Sequence, residues 1–323
     1  MARINETKLV QHLLKGLPER GVMLDVGAHR GASLQSFVRA GWRVYAFEPD
    51  ICNRRELVNW LQRNLQPRNA TESIKLDMDK HAAGQILHFK RQLAGGRIDP
   101  LVTVDDRAVS NTEQESMPFY FSYESSGISG LAAFTEQHDT FGSVAVTTLT
   151  EAIERYGIEK VDFLKIDTEG YDFMVLQGYP WDSKPAPLAI ECEFEDSKSV
   201  PLGYTYKDMA DFLVERGYTV YVSEWHPIVR YGLPHKWRSF TLYPCELHNP
   251  DTWGNLIAFQ QPPDEATLEA ALRATVELRG PAGVAQAKAG TPEQAARRAS
   301  MPPLKRLRYQ VRLRTRIRKF LEG

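Results

Sequence analysis

The chain has 323 residues, of which 42% are hydrophobic, 25% charged and 10% aromatic. This is the composition of a soluble globular protein with room for one large α/β domain or two small ones. The aromatic content excludes disorder throughout, and 22 Gly, 19 Pro and 3 Cys exclude collagen-like and disulfide-scaffold chains. Cys52, Cys192 and Cys245 show no CxxC spacing, so neither a disulfide framework nor a zinc site is expected, and a reducing cytoplasm is the expected home. No stretch approaches the roughly 20 apolar residues of a membrane span, and the N-terminal residues lack the apolar core of a signal peptide. The net charge of −1 hides an asymmetry: residues 304–323 carry eight Lys/Arg against Glu322, leaving the rest of the chain acidic by eight charges.

In chain order, residues 22–27 read as a short buried strand ending in a turn. Residues 33–40 have Leu34, Phe37 and Val38 at helical spacing, and 43–48 form a second strand. Strand, helix, strand makes a βαβ unit, which implies a parallel sheet. The alternation continues with a helix over 54–64, a strand at 101–104, a helix over 148–157 capped by Thr148 or Thr150, and a strand at 161–166. A helix at 172–177, a strand at 188–193 and a helix over 206–216 closed by Gly217 follow, with closing strands at 218–222 and 239–243. Residues 70–100 and 111–147 fit the alternation poorly and read as loops or small excursions over the sheet edge. The main domain ends near 260, followed by a helix at 264–279, an Ala/Gly/Pro-rich linker to 303 and a basic amphipathic helix in 304–323.

The first βα turn reads Asp25-Val26-Gly27-Ala28-His29-Arg30-Gly31. Gly27 lets the chain turn sharply, and Gly31 lets the next helix sit close to a ligand. The spacing is GxxxG, not the GxGxxG of dinucleotide sites, and a carboxylate stands at the strand end. A pyrophosphate wants backbone N–H groups and no carboxylate nearby, whereas the α-ammonium and sulfonium of S-adenosylmethionine favour one. Glu48 ends the next strand, where a carboxylate accepts from both ribose hydroxyls. Taken singly, the turn is a packing turn and Glu48 a solvated strand end; together they read as a nucleoside site.

The second informative stretch is Phe163-Leu164-Lys165-Ile166-Asp167-Thr168-Glu169-Gly170. Lys165 lies inside an apolar strand, and a buried ammonium needs a partner. If the strand stays extended, Lys165, Asp167 and Glu169 point the same way and pair, either as a structural ion pair or as a ligand site at the C-terminal sheet edge. Glu191 and Glu193 share one face of the next strand and repel unless Lys165 or a cation lies between them. Asp167, Glu191 and Glu193 are therefore a possible Mg²⁺ ligand set, against the alternative of no metal at all.

These motifs resemble the FkbM family of S-adenosylmethionine-dependent methyltransferases over roughly residues 20–245. The matching elements are Asp25-Val26-Gly27-Ala28 with Gly31, Phe47-Glu48-Pro49, and Lys165-Ile166-Asp167-Thr168-Glu169-Gly170, with Glu191 on the next strand. His29 stands where the family usually has Asn, and Thr150 where it often has Asp. The resemblance implies a class I methyltransferase fold, a mostly parallel seven-stranded sheet with helices on both faces, followed here by a C-terminal helical extension. It also implies O-methylation of a sugar, polysaccharide or glycosylated natural product. For the cofactor it implies Asp25, Gly27, Ala28, His29, Gly31, Glu48, Pro49, Asp106, Arg107, Ala108 and Asp167, with Arg107 and Ala108 near the adenine. The expected catalytic set is Lys165, Asp167, Glu169, Glu191 and His226, with Asp167 favoured as the base because it ends a strand at the crevice. Trp225, Tyr231 and Trp237 are candidates to stack on a sugar ring, or equally to be core.

Leu304, Leu307, Val311, Ile317, Phe320 and Leu321 interleave with the cations of the tail. Such a helix suits an anionic membrane surface, docks on the acidic body, or binds nucleic acid. The acidic body argues against nucleic acid as the acceptor. A scaffold that keeps the fold without the chemistry is the competing function, alongside a nucleic-acid methyltransferase. The expected placement is cytoplasmic, with peripheral attachment to the inner membrane face as the reading the tail adds.

Overall fold

The computed structural model describes residues 2–278 apart from 18–19, 82–83, 123–126, 135–137 and 230–233. The expected linker (280–303) and basic tail (304–323), and Tyr231 with them, lie outside the described residues.

Among the described residues ten strands form one sheet: β1 (Val22–Val26), β2 (Arg43–Phe47), β3 (Ser73–His81), β4 (Gly84–Gln92), β5 (Ile98–Asp105), β6 (Phe163–Ile166), β7 (Ala189–Glu195), β8 (Thr219–Trp225), β9 (Trp237–Leu242) and β10 (Trp253–Phe259). Their spatial order is β9-β8-β10-β7-β6-β1-β2-β5-β4-β3. The five strands β7, β6, β1, β2 and β5 pair in parallel. Strand β10 runs against both neighbours, β7 and β8. The seven strands from β8 to β5 are thus the mostly parallel sheet of the class I methyltransferase fold, extended by β9 at one edge and the β3–β4 hairpin at the other.

Strand β1 is buried along its whole length because helices cover both faces. Its side chains alternate: Val22, Leu24 and Val26 join the cluster that holds Leu149, Ile153, Val175, Leu176 and Leu213. Met23 joins the opposite cluster with Phe37, Leu57 and Leu61. The helix expected at 54–64 starts earlier, at Ile51, because the Asp50 carboxylate accepts from the N–H groups of Cys52 (2.8 Å) and Asn53 (3.2 Å).

Three expectations are corrected. Residues 70–100 are the β3–β4 hairpin, which pairs antiparallel with β5 and widens the sheet. Residues 111–147 are largely strand: Gln114–Ser122 and His138–Thr148 pair with each other and with Ala108–Ser110 as a small separate sheet. The closing strand at 239–243 is the edge strand β9, and the seventh central strand is β10, which inserts between β7 and β8. Helix Glu265–Thr275 packs on helix Glu6–Leu13, with Leu9 and Ala271 fully buried in their shared cluster. No helix among the described residues is long and apolar enough to cross a membrane.

Candidate active site

The chain leaves β1 toward β2 on one side and returns to β6 on the other, so the C-terminal ends of β1 and β6 open a crevice where such sheets bind ligands. Gly27 and Asp167 meet there. Gly27 has φ 78°, and a Cβ on it would lie 1.8 Å from the Asp167 carbonyl oxygen. Only a residue without a side chain fits. The N–H groups of Gly27 and Ala28 both donate to the Phe47 carbonyl at 3.0 Å, which ties the turn to the end of β2.

A cavity of about 330 Å³ opens over this turn. One part of its wall is Gly27, His29, Glu48, Pro49, Asn53, Arg107 and Ala108; another is Asp167, Thr168, Glu169, Tyr171, Glu193 and Lys198. Ile228, His235 and Trp253 close one end, and Gly127–Leu131, from the connection inside the small sheet, cover another side.

Glu48 is buried and accepts from the Asp50 N–H at 2.7 Å. Burial, with Asp50 beside it, pushes its carboxyl up to about 8. Arg107 is locked by a fork onto Asp105 (2.7 Å) and by Glu151 (2.9 Å), so it shapes the wall without a free charge. Burial and the adjacent Arg30 lower the proton affinity of the His29 imidazole.

Asp25, Ala28 and Gly31 lie off the wall, beneath the turn. Asp25 is fully buried and accepts from Ser33 Oγ at 2.5 Å, while its Oδ1 has no hydrogen-bond partner. Gly31 packs against Leu57. Asp106 is also off the wall. Its carboxylate lies 2.6 Å from His81 Nε2, accepts from the Gln85 N–H at 2.9 Å and lies 3.8 Å from Arg54.

Lys165 stands in register with Asp25 on β1 and Glu191 on β7, and its ammonium donates to Asp167 at 3.0 Å. Three carboxylates around one buried ammonium raise its proton affinity despite burial. Burial works against an ionised Asp167, yet Lys165, Lys198 and His29 hold its carboxyl below the usual carboxylate range. Its side chain is 41% exposed, open to the cavity. Glu191 is off the wall. It accepts from Thr7 Oγ1 at 2.9 Å on helix Glu6–Leu13, and burial pushes it up to about 8.

The expected alignment of Lys165, Asp167 and Glu169 fails at its last member. Strand β6 ends at Ile166, and Glu169 takes a left-handed conformation with φ 57°. Its partner is Lys198, buried in the short helix after β7 and also 2.7 Å from Glu195 and 3.6 Å from Glu193. The carboxylates that come within 4.8 Å of one another are Asp167, Glu169 and Glu193, not the set with Glu191. The Lys198 ammonium sits among them, 3.6 Å from Glu193 and paired with Glu169, so the set expected to hold Mg²⁺ through Asp167, Glu191 and Glu193 does not assemble.

His226 is likewise not on the wall. Its N–H donates to the Lys236 carbonyl (2.9 Å), its carbonyl accepts from Trp253 Nε1 (3.1 Å), and its ring lies 3.4 Å from Arg238. The hairpin between β8 and β9 instead brings Ile228 and, on its returning arm, His235 to the cavity. Trp225 is core: it stacks on Trp253 at 5.3 Å and donates to Glu6 at 2.6 Å. Lys198, His235, Trp253 and Asn53 are wall residues that the motifs do not mark, because their only sequence signal is type.

The profile of the methyltransferase FkbM domain matches residues 25–220. No curated protein matches the sequence. Among solved structures, the chain is similar to precorrin-6y C5,15-methyltransferase from Geobacter metallireducens GS-15, with 11% identity over 79% of this chain and 88% of that one (TM-score 0.37). It is also similar to the O-methyltransferase TomG from Streptomyces achromogenes, solved with SAM, with 11% identity over 79% and 78% of the two chains (TM-score 0.36). An rRNA methylase from Streptococcus thermophilus gives 9% identity over 77% and 92% (TM-score 0.34).

Proposed function

Because the chain belongs to the FkbM methyltransferase family, we propose that it transfers the methyl group of S-adenosylmethionine to a hydroxyl of a sugar, polysaccharide or glycosylated metabolite. The observation that carries the donor half is the pairing of a side-chain-free turn at Gly27 with the buried carboxyl of Glu48 on one cavity wall. Glu48 accepts from ribose hydroxyls, Arg107 and Ala108 flank the base, and Asp167 faces the cationic amino-acid end. When bound, the donor supplies an electrophilic methyl on a good leaving group, and the chain's own task is alignment, worth effective molarities of about 10⁵–10⁸ M.

The acceptor half rests on the remaining wall. Asp167, Thr168, Glu169 and Glu193 offer oxygens that accept from hydroxyls, and the ring faces of Tyr171 and Trp253 suit the C–H face of a sugar. For residues 304–323 the cation-rich amphipathic pattern supports peripheral attachment to an anionic membrane, where glycan assembly takes place. Mass spectrometry of the host's surface polysaccharide, with and without this chain, tests the reading. Loss of methyl substituents on deletion is expected, and an unchanged spectrum contradicts a polysaccharide acceptor.

A further inference from the structure

Among the described residues, the non-glycine positions at positive φ are His29 (49°) and Glu169 (57°), and both line the cavity. Residues with a Cβ rarely take this conformation, and it persists only where the surroundings impose it. Around Glu169 they do. Asp172 accepts from Thr168 Oγ1 (3.1 Å) and the Gly170 N–H (3.2 Å), and the Tyr204 hydroxyl donates to the Gly170 carbonyl at 2.7 Å. Gly130 passes so close that a Cβ there would lie 3.1 Å from the Thr168 carbonyl oxygen and 3.5 Å from Glu169 Cβ. The turn fixes the Glu169 side chain on the wall, and Lys198, with 3% of its side chain exposed, anchors it there.

Among the described residues, the charges around that anchor do not balance. Glu169, Glu193 and Glu195 share one ammonium, and the carboxylate of Asp167 is already engaged by Lys165. A buried cluster with more carboxyls than cations holds a proton that any arriving positive charge displaces.

Resting on the O-methylation reading above, we propose that Glu169 takes the proton that the acceptor hydroxyl loses, and that Lys198 is the residue that positions it. On transfer the new C–O bond forms as the C–S bond breaks, the C–S electron pair stays on sulfur, and the hydroxyl proton passes to a carboxylate oxygen of Glu169. Asp167 serves less well as the acceptor of that proton because Lys165 keeps it ionised. Burial, opposed by Lys198, pushes the Glu169 carboxyl up to about 7, where a base operates well near neutral pH. The charged groups acting on it are Lys198, Asp167, Glu195 and Glu193; Asp172 acts on Glu193, and His235, where burial and Arg3 disfavour a charge, acts on Glu195 and Lys198.

Calorimetric titration of the full chain with S-adenosylmethionine and with S-adenosylhomocysteine, each in two buffers of different ionisation enthalpy near pH 7, counts the protons released. Both ligands present the same ribose to Glu48, so the sulfonium charge is the difference between them. S-adenosylmethionine is expected to release more protons, by about half a proton per site, and the excess vanishes in Glu169→Gln. Lys198→Met shifts the excess away from the wild-type count, because the loss of the ammonium raises the proton affinity of Glu169 both before and after binding, and Lys198→Arg restores that count. In turnover Glu169→Gln slows transfer about 10²–10⁴-fold with S-adenosylhomocysteine affinity kept. Equal release by the two ligands, an excess that survives in Glu169→Gln, or a fully active Glu169→Gln overturns the assignment. Failure of both nucleosides to bind the wild-type chain overturns the donor reading instead.

Discussion

The Lys165 ammonium lies 3.0 Å from the Asp167 carboxylate, and this pair joins the buried floor of the cavity to its open wall. Lys165 stands between Asp25 and Glu191 on the flanking strands, with 9% of its side chain exposed. Replacing it by Met leaves the ionised Asp167 carboxylate without its buried partner, and removal of one partner of a buried pair costs about 3–5 kcal/mol. Urea unfolding of Lys165→Met should show a loss of that size; a stability equal to wild type would mean that Asp167 does not depend on Lys165.

Glu48→Gln separates binding from folding. The amide keeps an oxygen for the Asp50 N–H but, unlike the carboxyl that burial raises to about 8, has no proton to give up so that both oxygens accept when the ribose hydroxyls arrive, and hydrogen bonds to charged groups are worth about 1.5–3 kcal/mol. Affinity for S-adenosylhomocysteine should fall about 10–100-fold, with stability near neutral pH changed by less than about 1 kcal/mol. Unchanged affinity in equilibrium dialysis would remove Glu48 from the nucleoside site.

The dependence of stability on pH follows from the same buried carboxyls. Burial raises both Glu48 and Glu191 from an ordinary 4.5 to about 8. Between those values the folded chain holds protons that the unfolded chain has lost, so the stabilisation is fully present below about 4.5 and is lost as pH rises through 8. Melting temperatures of the ligand-free chain are expected to decline from pH 6 to pH 9. A rise over that window would show that the two groups ionise freely in the folded state.

Gly27→Ala places a Cβ 1.8 Å from the Asp167 carbonyl oxygen in a backbone with φ 78°. The turn must move or the strands must part, at a cost of at least about 2 kcal/mol. Chemical denaturation reads the loss. A fully stable, fully binding Gly27→Ala chain would contradict the close approach of the two strand ends.

What the sequence discloses and what it hides divide along one physical line. Gly27, Glu48, Asp167 and Glu169 sit in short contiguous motifs because strand ends and tight turns impose local demands on residue type. The bend at Glu169 is hidden, since an extended strand and a left-handed turn fit the same letters. Lys198 and His235 reach the cavity through β7 and the β8–β9 hairpin, and nothing near them in sequence states where that chain goes. Strand β10 is missed for the same reason: its partners, β7 and β8, are fixed by pairing across the sheet, not by its neighbours. The β3–β4 hairpin reads as polar loop because it is an edge, where much of β3 faces water.

The central claim is that a positively charged nucleoside sits against the Gly27 turn and Glu48. Calorimetric titration of the full chain with S-adenosylmethionine tests it most directly. One molecule per chain with a micromolar Kd is the predicted result; a folded chain that evolves no binding heat and retains no ligand in dialysis contradicts it.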